Sequence, residues 1–398
     1  TEGVVFDRCY SLSPWTDQSV CGLFSSRYPP SLPPGVSKNL WFLVLDPHKE
    51  PVNYWLDEDG RTVIERLRDA HMVTAAFIGN PFLARQKWLL RGFEYSRALD
   101  GMKQEKQGIF CRFPILEGIL VRFFPMISYE RPFDSTRVLV MYSREFIRHH
   151  RRTSFFLWVH LMDPHDPFDP PGRYRTMSGP IDFFYWLPKY GKAILNEEEA
   201  DQTSLRQDQR PVVRALYEGE IRYADWAIGK IHQDLKKQTG AQAYLCITAD
   251  HGEEFWDHGG TAHGSSLYDE QIHVPLLFAG PNLVSRRVAA LVSPVDLLPT
   301  ISELTGTPWQ KEWRGHSLFP MLRYGYDPSP EWPCFSQGLY FESPDPVRAV
   351  MLGRFKLIEG IATGRTELYD LASDPQEQRD LSDTHPEEAK VLKQRLHD

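Results

Sequence analysis

Cysteine is scarce and unpatterned in this 398-residue chain: Cys9, Cys21, Cys111, Cys246 and Cys334 are odd in number, widely spaced and never form Cys-x-x-Cys. That disfavours a zinc ribbon or a complete disulfide framework and leaves the compartment open. Long apolar runs are also missing. The nearest to a membrane span, residues 113–127, carries Glu117 and Arg122. There is no Lys/Arg block interleaved with aromatics, and 45 basic against 53 acidic residues give a formal charge of −8, which argues against a nucleic-acid surface. Only Arg148 to Arg152 (Arg-His-His-Arg-Arg) is locally basic, at the end of an expected helix where cations suit the dipole. Internal repeats and low-complexity tracts are absent, and so is an initiator Met. Because it opens on Thr1-Glu2-Gly3, the chain is expected to be a fragment of something longer.

What is present is ordinary for a globular protein: 41% hydrophobic and 25% charged residues. The length suffices for one large domain with a smaller attachment, or for two domains.

The most informative segment is Asp250-His251-Gly252-Glu253-Glu254, which follows the apolar run Ala243 to Thr248. A carboxylate and an imidazole thus emerge together where a buried strand stops. Open α/β sheets place ligands at such carboxyl ends. A second end is offered by Phe155 to His160, a strand that runs into the acid-, imidazole- and proline-rich loop Met162 to Pro171. Helical patterns alternate with these strands. Asp134-Ser135 opens one whose residues Val138, Leu139, Tyr142, Phe146 and Ile147 share a face, and Arg210 to Gln238 forms another that stops at Gly240. A further strand is expected over Val274 to Gly280, and a helix from Ser293-Pro294 to Gly306. The alternation implies an α/β layered sheet.

After about Pro328 the texture changes. Prolines 328, 330, 333, 344 and 346 mark loops, then Ala349 to Leu352, Phe355 to Ile358 and Glu367 to Tyr369 read as short antiparallel strands around a Gly353-Arg354 turn. A charged helix from about His385 closes the chain. The expected domains are therefore residues 1–327 and a C-terminal subdomain, 328–398. Residues 103–130 receive no assignment.

These segments carry a resemblance. Thr248 to Glu254, then His263 to Glu270 leading into Val274-Pro275-Leu276-Leu277, resembles the metal-binding segment of the sulfatase family within the alkaline phosphatase superfamily. Phe155 to Pro171, Tyr217 to Asp225, Gly353 to Ile358 and Glu367 to Leu371 resemble further family landmarks in the family's order. The resemblance implies a mostly parallel central sheet between helices, with a small C-terminal antiparallel subdomain. It also implies a hydrolase acting on sulfuric or phosphoric esters, arylsulfatase-like.

The family's nucleophile segment matches Ser13 to Pro29, where sulfatases carry Cys-x-Pro-Ser-Arg or its Ser variant. This chain has Thr16-Asp17-Gln18-Ser19-Val20 instead. Threonine cannot be oxidised to formylglycine, because its β-carbon already bears a methyl group. It remains a workable nucleophile when a metal holds its oxygen beside a helix N-terminus; the alternative is an N-cap. The resemblance makes Asp250 and His251 metal ligands alongside Thr16, with Mn²⁺ or Zn²⁺ suiting the mixed shell better than Ca²⁺, the ion common among sulfatases. His165 matches the histidine that contacts the transferred group or leaving oxygen; its alternative is to order the loop. His263 stands where sulfatases carry a substrate-side lysine and two-metal relatives a histidine ligand. Asn80 takes the place of a substrate-binding lysine, or else is a turn residue before Pro81. Asp163 is expected to be structural, and His160, His258 and Lys356 to be packing or surface residues.

In this family the first strand precedes the Gly3 to Asp7 segment and ends in acidic metal ligands, so that strand is expected upstream of Thr1. The implied substrate is a small-molecule, glycan or lipid sulfate or phosphate ester. Membrane association would come only through the upstream segment, and the family suggests a periplasmic, extracellular or membrane-anchored setting. Two other readings stand beside the hydrolase: a phosphoethanolamine- or phosphoglycerol-type transferase, and a non-catalytic binding member that Gln18, Val20 and Phe82 would suit.

Overall fold

The structure, a computed structural model, describes residues 3–29, 59–99, 134–166, 168–175, 207, 210–240, 242–326, 332–338 and 345–397. Its regular elements begin with β1 (Val4–Tyr10), α1 (Thr16–Ser25), α2 (Val63–Asp69), β2 (Val73–Ile78), α3 (Pro81–Arg85), β3 (Tyr95–Ala98), α4 (Ser135–His149) and β4 (Phe155–His160). They continue with α5 (Arg210–Thr239), β5 (Leu245–Thr248), β6 (Glu254–Phe255), β7 (Thr261–Ala262), α6 (Asp269–Ile272), β8 (His273–Ala279) and β9 (Arg286–Val292). The last part holds α7 (Leu297–Thr305), α8 (Phe319–Tyr324), β10 (Cys334–Gly338), β11 (Val347–Leu352), β12 (Phe355–Gly360), β13 (Thr366–Asp370) and α9 (Pro386–His397). No described helix is long and apolar enough to cross a membrane. The segments 113–127 and 103–130 lie outside the described residues.

The chain divides into two compact units, one of Thr1–His71, Gln86–Gly92 and Ala241–Asp398, the other of Met72–Arg85 and Phe93–Gly240. The first is built on a sheet of order β5-β8-β1-β9, in which β8 runs antiparallel to both neighbours and β9 parallel to β1. Val4, Phe6 and Cys9 of β1 enter the core with Leu276, Phe278, Val288 and Leu297. Between Phe6 and Cys9 the register shifts, so the polar neighbours Asp7 and Arg8 both stay half-buried while the core face resumes at Cys9. The strand thereby keeps its apolar face in the core right up to the loop that precedes α1.

A second sheet in this unit is the antiparallel meander β10-β11-β12-β13. Alternate residues serve opposite faces. Ala349 and Met351 pack with Tyr10, Ile272 and Leu291, while Val350, Leu357 and Leu368 pack with Leu381 and with Leu392 of α9. The α/β class and the C-terminal antiparallel sheet are those the sequence implies. Two local expectations change. β10 lies within the proline-marked stretch read as loop, and the Ser293 to Gly306 helix is a 3₁₀ turn, Pro294–Asp296, followed by α7. Asp296 Oδ2 accepts from Ser293 N and Asp296 N donates to Ser293 O, each at 2.9 Å, which closes that first turn by itself.

The second unit holds the parallel sheet β3-β2-β4. Its middle strand, Val-Thr-Ala-Ala-Phe-Ile, is buried almost throughout. Asp134 caps α4 by accepting from Arg137 N at 2.9 Å, as the sequence suggests, and Leu139 and Phe146 of that helix pack on Ala75 and Phe77.

Candidate active site

The turn from β1 into α1 is fixed by buried serines. Ser13 Oγ donates to Gln18 Oε1 at 2.6 Å and accepts from Trp15 N at 3.2 Å, while Ser11 N donates to Ile272 O at 2.8 Å. Trp15, in extended conformation, is the N-cap of α1 and gives it no side-chain cap. Thr16 is thus the first helical residue, with its hydroxyl available for other work. Ser19, one turn on, donates to Asp250 O at 2.6 Å and ties the helix to the exit of β5.

That exit carries Asp250 and His251. Main-chain bonds hold it: Gly252 N donates to Gln271 O and Glu253 N to Glu270 O, each at 2.8 Å. A Cβ on Gly252 would lie 2.1 Å from Glu270 O, so only glycine allows the two strands of chain to approach this closely. His251 Nδ1 donates to Gly252 O at 2.8 Å, which leaves Nε2 of the neutral ring as a lone pair facing Thr16 Oγ1 at 3.1 Å. Asp250 Oδ2 lies 3.7 Å from the same Nε2. Burial pulls the His251 pKa below the usual imidazole value, partly opposed by the Asp250 charge, so the ring stays neutral. Asp17, beside Thr16, is pushed up to about 6 by burial and by Asp250.

His263 completes the group. Its ring stacks on that of His251 with centroids 4.2 Å apart, and its Nδ1 donates to Glu253 Oε2 at 2.9 Å. Trp15 flanks it at 5.6 Å. Four of the six residues singled out by sequence are therefore brought together in the first unit: Thr16, Asp250, His251 and His263.

Asn80 and His165 belong to the second unit. Asn80, buried, accepts at Oδ1 from Phe82 N at 2.8 Å and Leu83 N at 3.4 Å, the geometry of a cap on α3; its amide nitrogen remains a donor. His165 Nδ1 lies 2.6 Å from Asp166 O, and its backbone N donates to Glu220 Oε2 at 3.1 Å. Glu220, on α5, also accepts from Asp169 N at 2.8 Å, so one buried carboxylate orders this proline-rich loop. Asp163 accepts from Thr136 Oγ1, consistent with a structural role.

The donor chemistry of the Thr16 group fits a divalent cation: a carboxylate, an imidazole lone pair and a hydroxyl. Two ligands about 2.1 Å from one ion at right angles lie about 3 Å apart, close to the 3.1 Å between Thr16 Oγ1 and His251 Nε2. Among the described residues no three His, Cys, Asp or Glu side chains converge into a metal cluster.

A sequence profile described as Sulfatase matches residues 1–307. The chain belongs to the sulfatase family. A second profile, described as N-sulphoglucosamine sulphohydrolase, C-terminal, matches residues 261–398. Among relatives in the family, Arylsulfatase K of Danio rerio is 27% identical over 225 residues, 54% of this chain and 40% of that protein. Delta 4,5-hexuronate-2-O-sulfatase of Bacteroides thetaiotaomicron is 34% identical over 164 residues, 38% of this chain and 33% of that protein. The matches thus span less than half the length of these two relatives. In fold the chain is similar to the phosphonate monoester hydrolase SpPMH of Silicibacter pomeroyi, with TM-score 0.70 and 19% identity over 100% of this chain and 88% of that one. It is equally similar to BT4656, solved with its substrate D-glucosamine-2-N,6-O-disulfate, with TM-score 0.70 and 16% identity over 100% of this chain and 90% of that one.

Sequence reasoning missed the residues that set this sulfatase-family site in place. Glu253 was legible only as part of an acidic pair; its bond to His263 closes the ten-residue span that holds β6 and β7. Ser19 and Gly252 gave no chemical signal, since a helical serine and a lone glycine have many uses. Lys356, read as packing or surface, is fully buried and bonded to Asp269 Oδ1 at 2.8 Å and Glu377 Oε1 at 2.6 Å. His258 bonds Glu270 Oε1 at 2.6 Å, so both residues brace the loop that carries His263.

Proposed function

We propose that this sulfatase-family chain belongs to a metal-dependent hydrolase that cleaves sulfate or phosphate esters with Thr16 as nucleophile. The observation that carries the reading is the 3.1 Å contact between Thr16 Oγ1 and the lone pair of His251 Nε2 at the start of α1. Thr16, Asp250 and His251 are the residues that would hold the ion, Mn²⁺, Zn²⁺ or Ca²⁺; such an ion supplies positive charge that eases loss of the hydroxyl proton and balances charge on the transferred group. The uncapped N–H groups of α1 favour the same anion.

Thr16 Oγ1 attacks sulfur or phosphorus and gives up its proton to solvent, while the ester oxygen leaves with its bonding pair and takes a proton from the protonated His263 ring. Glu253 holds Nδ1 of that ring, which makes Nε2 the atom that hands over the proton. Water then attacks the threonine ester, one of its protons restoring the hydroxyl and the other recharging His263, and sulfate or phosphate is released. The family relatives named as sulfatases support a sulfate ester.

The test is turnover of an aryl sulfate, an aryl phosphate and an aryl phosphodiester with Mn²⁺, Zn²⁺ or Ca²⁺, against a Thr16→Ala control. Metal-dependent turnover that disappears in the control supports the reading and names the ester class. Turnover equal in wild type and control refutes the nucleophile, and none with any ester favours the transferase or the silent binding member.

A further inference from the structure

We propose that the groove between α4 and α5 is a binding site for a sulfated oligosaccharide, made wholly of second-unit residues and sharing none with the Thr16 group. Arg137, Met141, Arg144 and Arg148 recur at steps of four, three and four residues and so form one stripe of α4. Trp226 and Lys230, four residues apart on α5, face them across a cavity of about 470 Å³. It is a half-open groove and not an enclosed pocket.

Charge in the groove is one-sided. Four cations line it, Arg137, Arg144, Arg148 and Lys230, against the single carboxylate Glu145. Asp134 and Asp234 lie at the margin, the first near Arg137 and the second accepting from Arg144 Nε. Arg148 and Lys230 make no ion pair with a described residue. In a chain of net charge −8 such a patch needs a local reason. The sequence had marked Arg148 to Arg152 as its one basic run, and the structure extends that run down the helix.

The floor is aromatic. Trp226 stacks on the buried Tyr223 with ring centroids 5.3 Å apart and planes 9° apart, and Arg173 lies over it at 5.2 Å. Met141 beside it is 53% exposed, unusual for so large an apolar side chain. From Arg137 to Arg148 the stripe runs eleven residues, about 16 Å at the helical rise. One sulfate or phosphate cannot span that distance. The matching ligand carries several anionic groups along an extended backbone and offers an apolar ring face to an indole. A sulfated sugar chain has both features, whereas a nucleic acid would call for more than one stacking platform. The choice of sulfate as the anion rests on the ester reading of the Thr16 group; the groove's charge and floor do not.

The experiment titrates the full chain with a heparin-derived hexasaccharide and with its desulfated counterpart, following tryptophan fluorescence and heat of binding from about 50 to about 200 mM salt. The sulfated probe is expected to bind, more weakly as salt rises, and the desulfated one not. Arg148→Glu with Lys230→Glu should weaken binding at least about tenfold, as should Trp226→Ala, while Thr16→Ala binds like wild type. The milder pair Arg148→Gln and Lys230→Gln, with unchanged circular dichroism, guards against a folding defect. Equal affinity of wild type and both charge pairs overturns the proposal. So does preference for phosphatidylserine vesicles that the same substitutions abolish, which would make the groove a membrane contact. Aryl-ester turnover is read separately: binding without turnover in wild type fails the hydrolase and leaves the groove standing.

Discussion

Thr16 Oγ1 and His251 Nε2 stand 3.1 Å apart although 235 residues separate them in the chain. Two anchors make the contact: the Ser19 bond to the Asp250 carbonyl, and the Gly252 carbonyl that fixes the imidazole tautomer. Thr16→Ala should therefore lower kcat by at least on the order of 10³-fold without changing thermal stability much, and Thr16→Ser should keep measurable turnover because its hydroxyl can reach the same nitrogen. Steady-state kinetics with the ester found active, alongside melting curves, distinguishes loss of a nucleophile from loss of the fold.

Glu253→Gln removes the charged acceptor of His263 Nδ1 while nearly keeping its shape. An orienting carboxylate of this kind is worth about 10- to 100-fold, so kcat should fall by that order with KM little changed. A loss confined to KM would assign His263 to substrate binding and not to proton transfer.

The Lys356 ammonium sits at 0% exposure between Asp269 and Glu377. Burial opposes its charge, yet the two carboxylates win and hold its pKa above the usual lysine value. Lys356→Met should destabilise the protein by about 3–5 kcal/mol, because the buried Glu377 and the half-buried Asp269 lose their counter-ion. Adding Glu377→Gln should restore part of that. Urea unfolding of the single and double variants measures both, and a neutral single variant would refute the pairing.

Asp296 offers a pH test away from the Thr16 group. Burial raises its pKa from 3.8 to about 7, against the backbone N–H groups of His316 and Ser293 that favour the anion. Between those values the folded state binds a proton that the unfolded state has released. Its contribution to stability is complete below about pH 4 and declines as pH rises towards 7. Asp296→Asn should flatten that part of a melting-temperature profile, and a wild-type profile that rises over the interval would contradict the shift.

Much of this architecture was legible because periodicity and capping are local. The Phe155 to His160 strand, the Asp134 cap of α4, the stop of α5 near Gly240 and the Phe355 hairpin all appear where pattern and punctuation put them. β9 was not legible: it opens on Arg286-Arg287, and only its second half is apolar and buried. β10 was hidden among prolines. In the site, the residue types at the exit of β5 announced themselves, but the contacts that organise them did not. Ser19 with Asp250, Glu253 with His263 and Lys356 with its two carboxylates are pairings across loops or whole units of sequence, and no periodic signal carries them.

The Gly252 crossing has one more consequence. His251 and Glu253 are located by carbonyls and amides of 252, 253, 270 and 271, which every sequence possesses, and by the absence of a side chain at one position. The address of the site is thus written in the main chain and its chemistry in the side chains. Side chains at 251 and 253 can therefore change while glycine at 252 and these main-chain bonds keep their place in the scaffold.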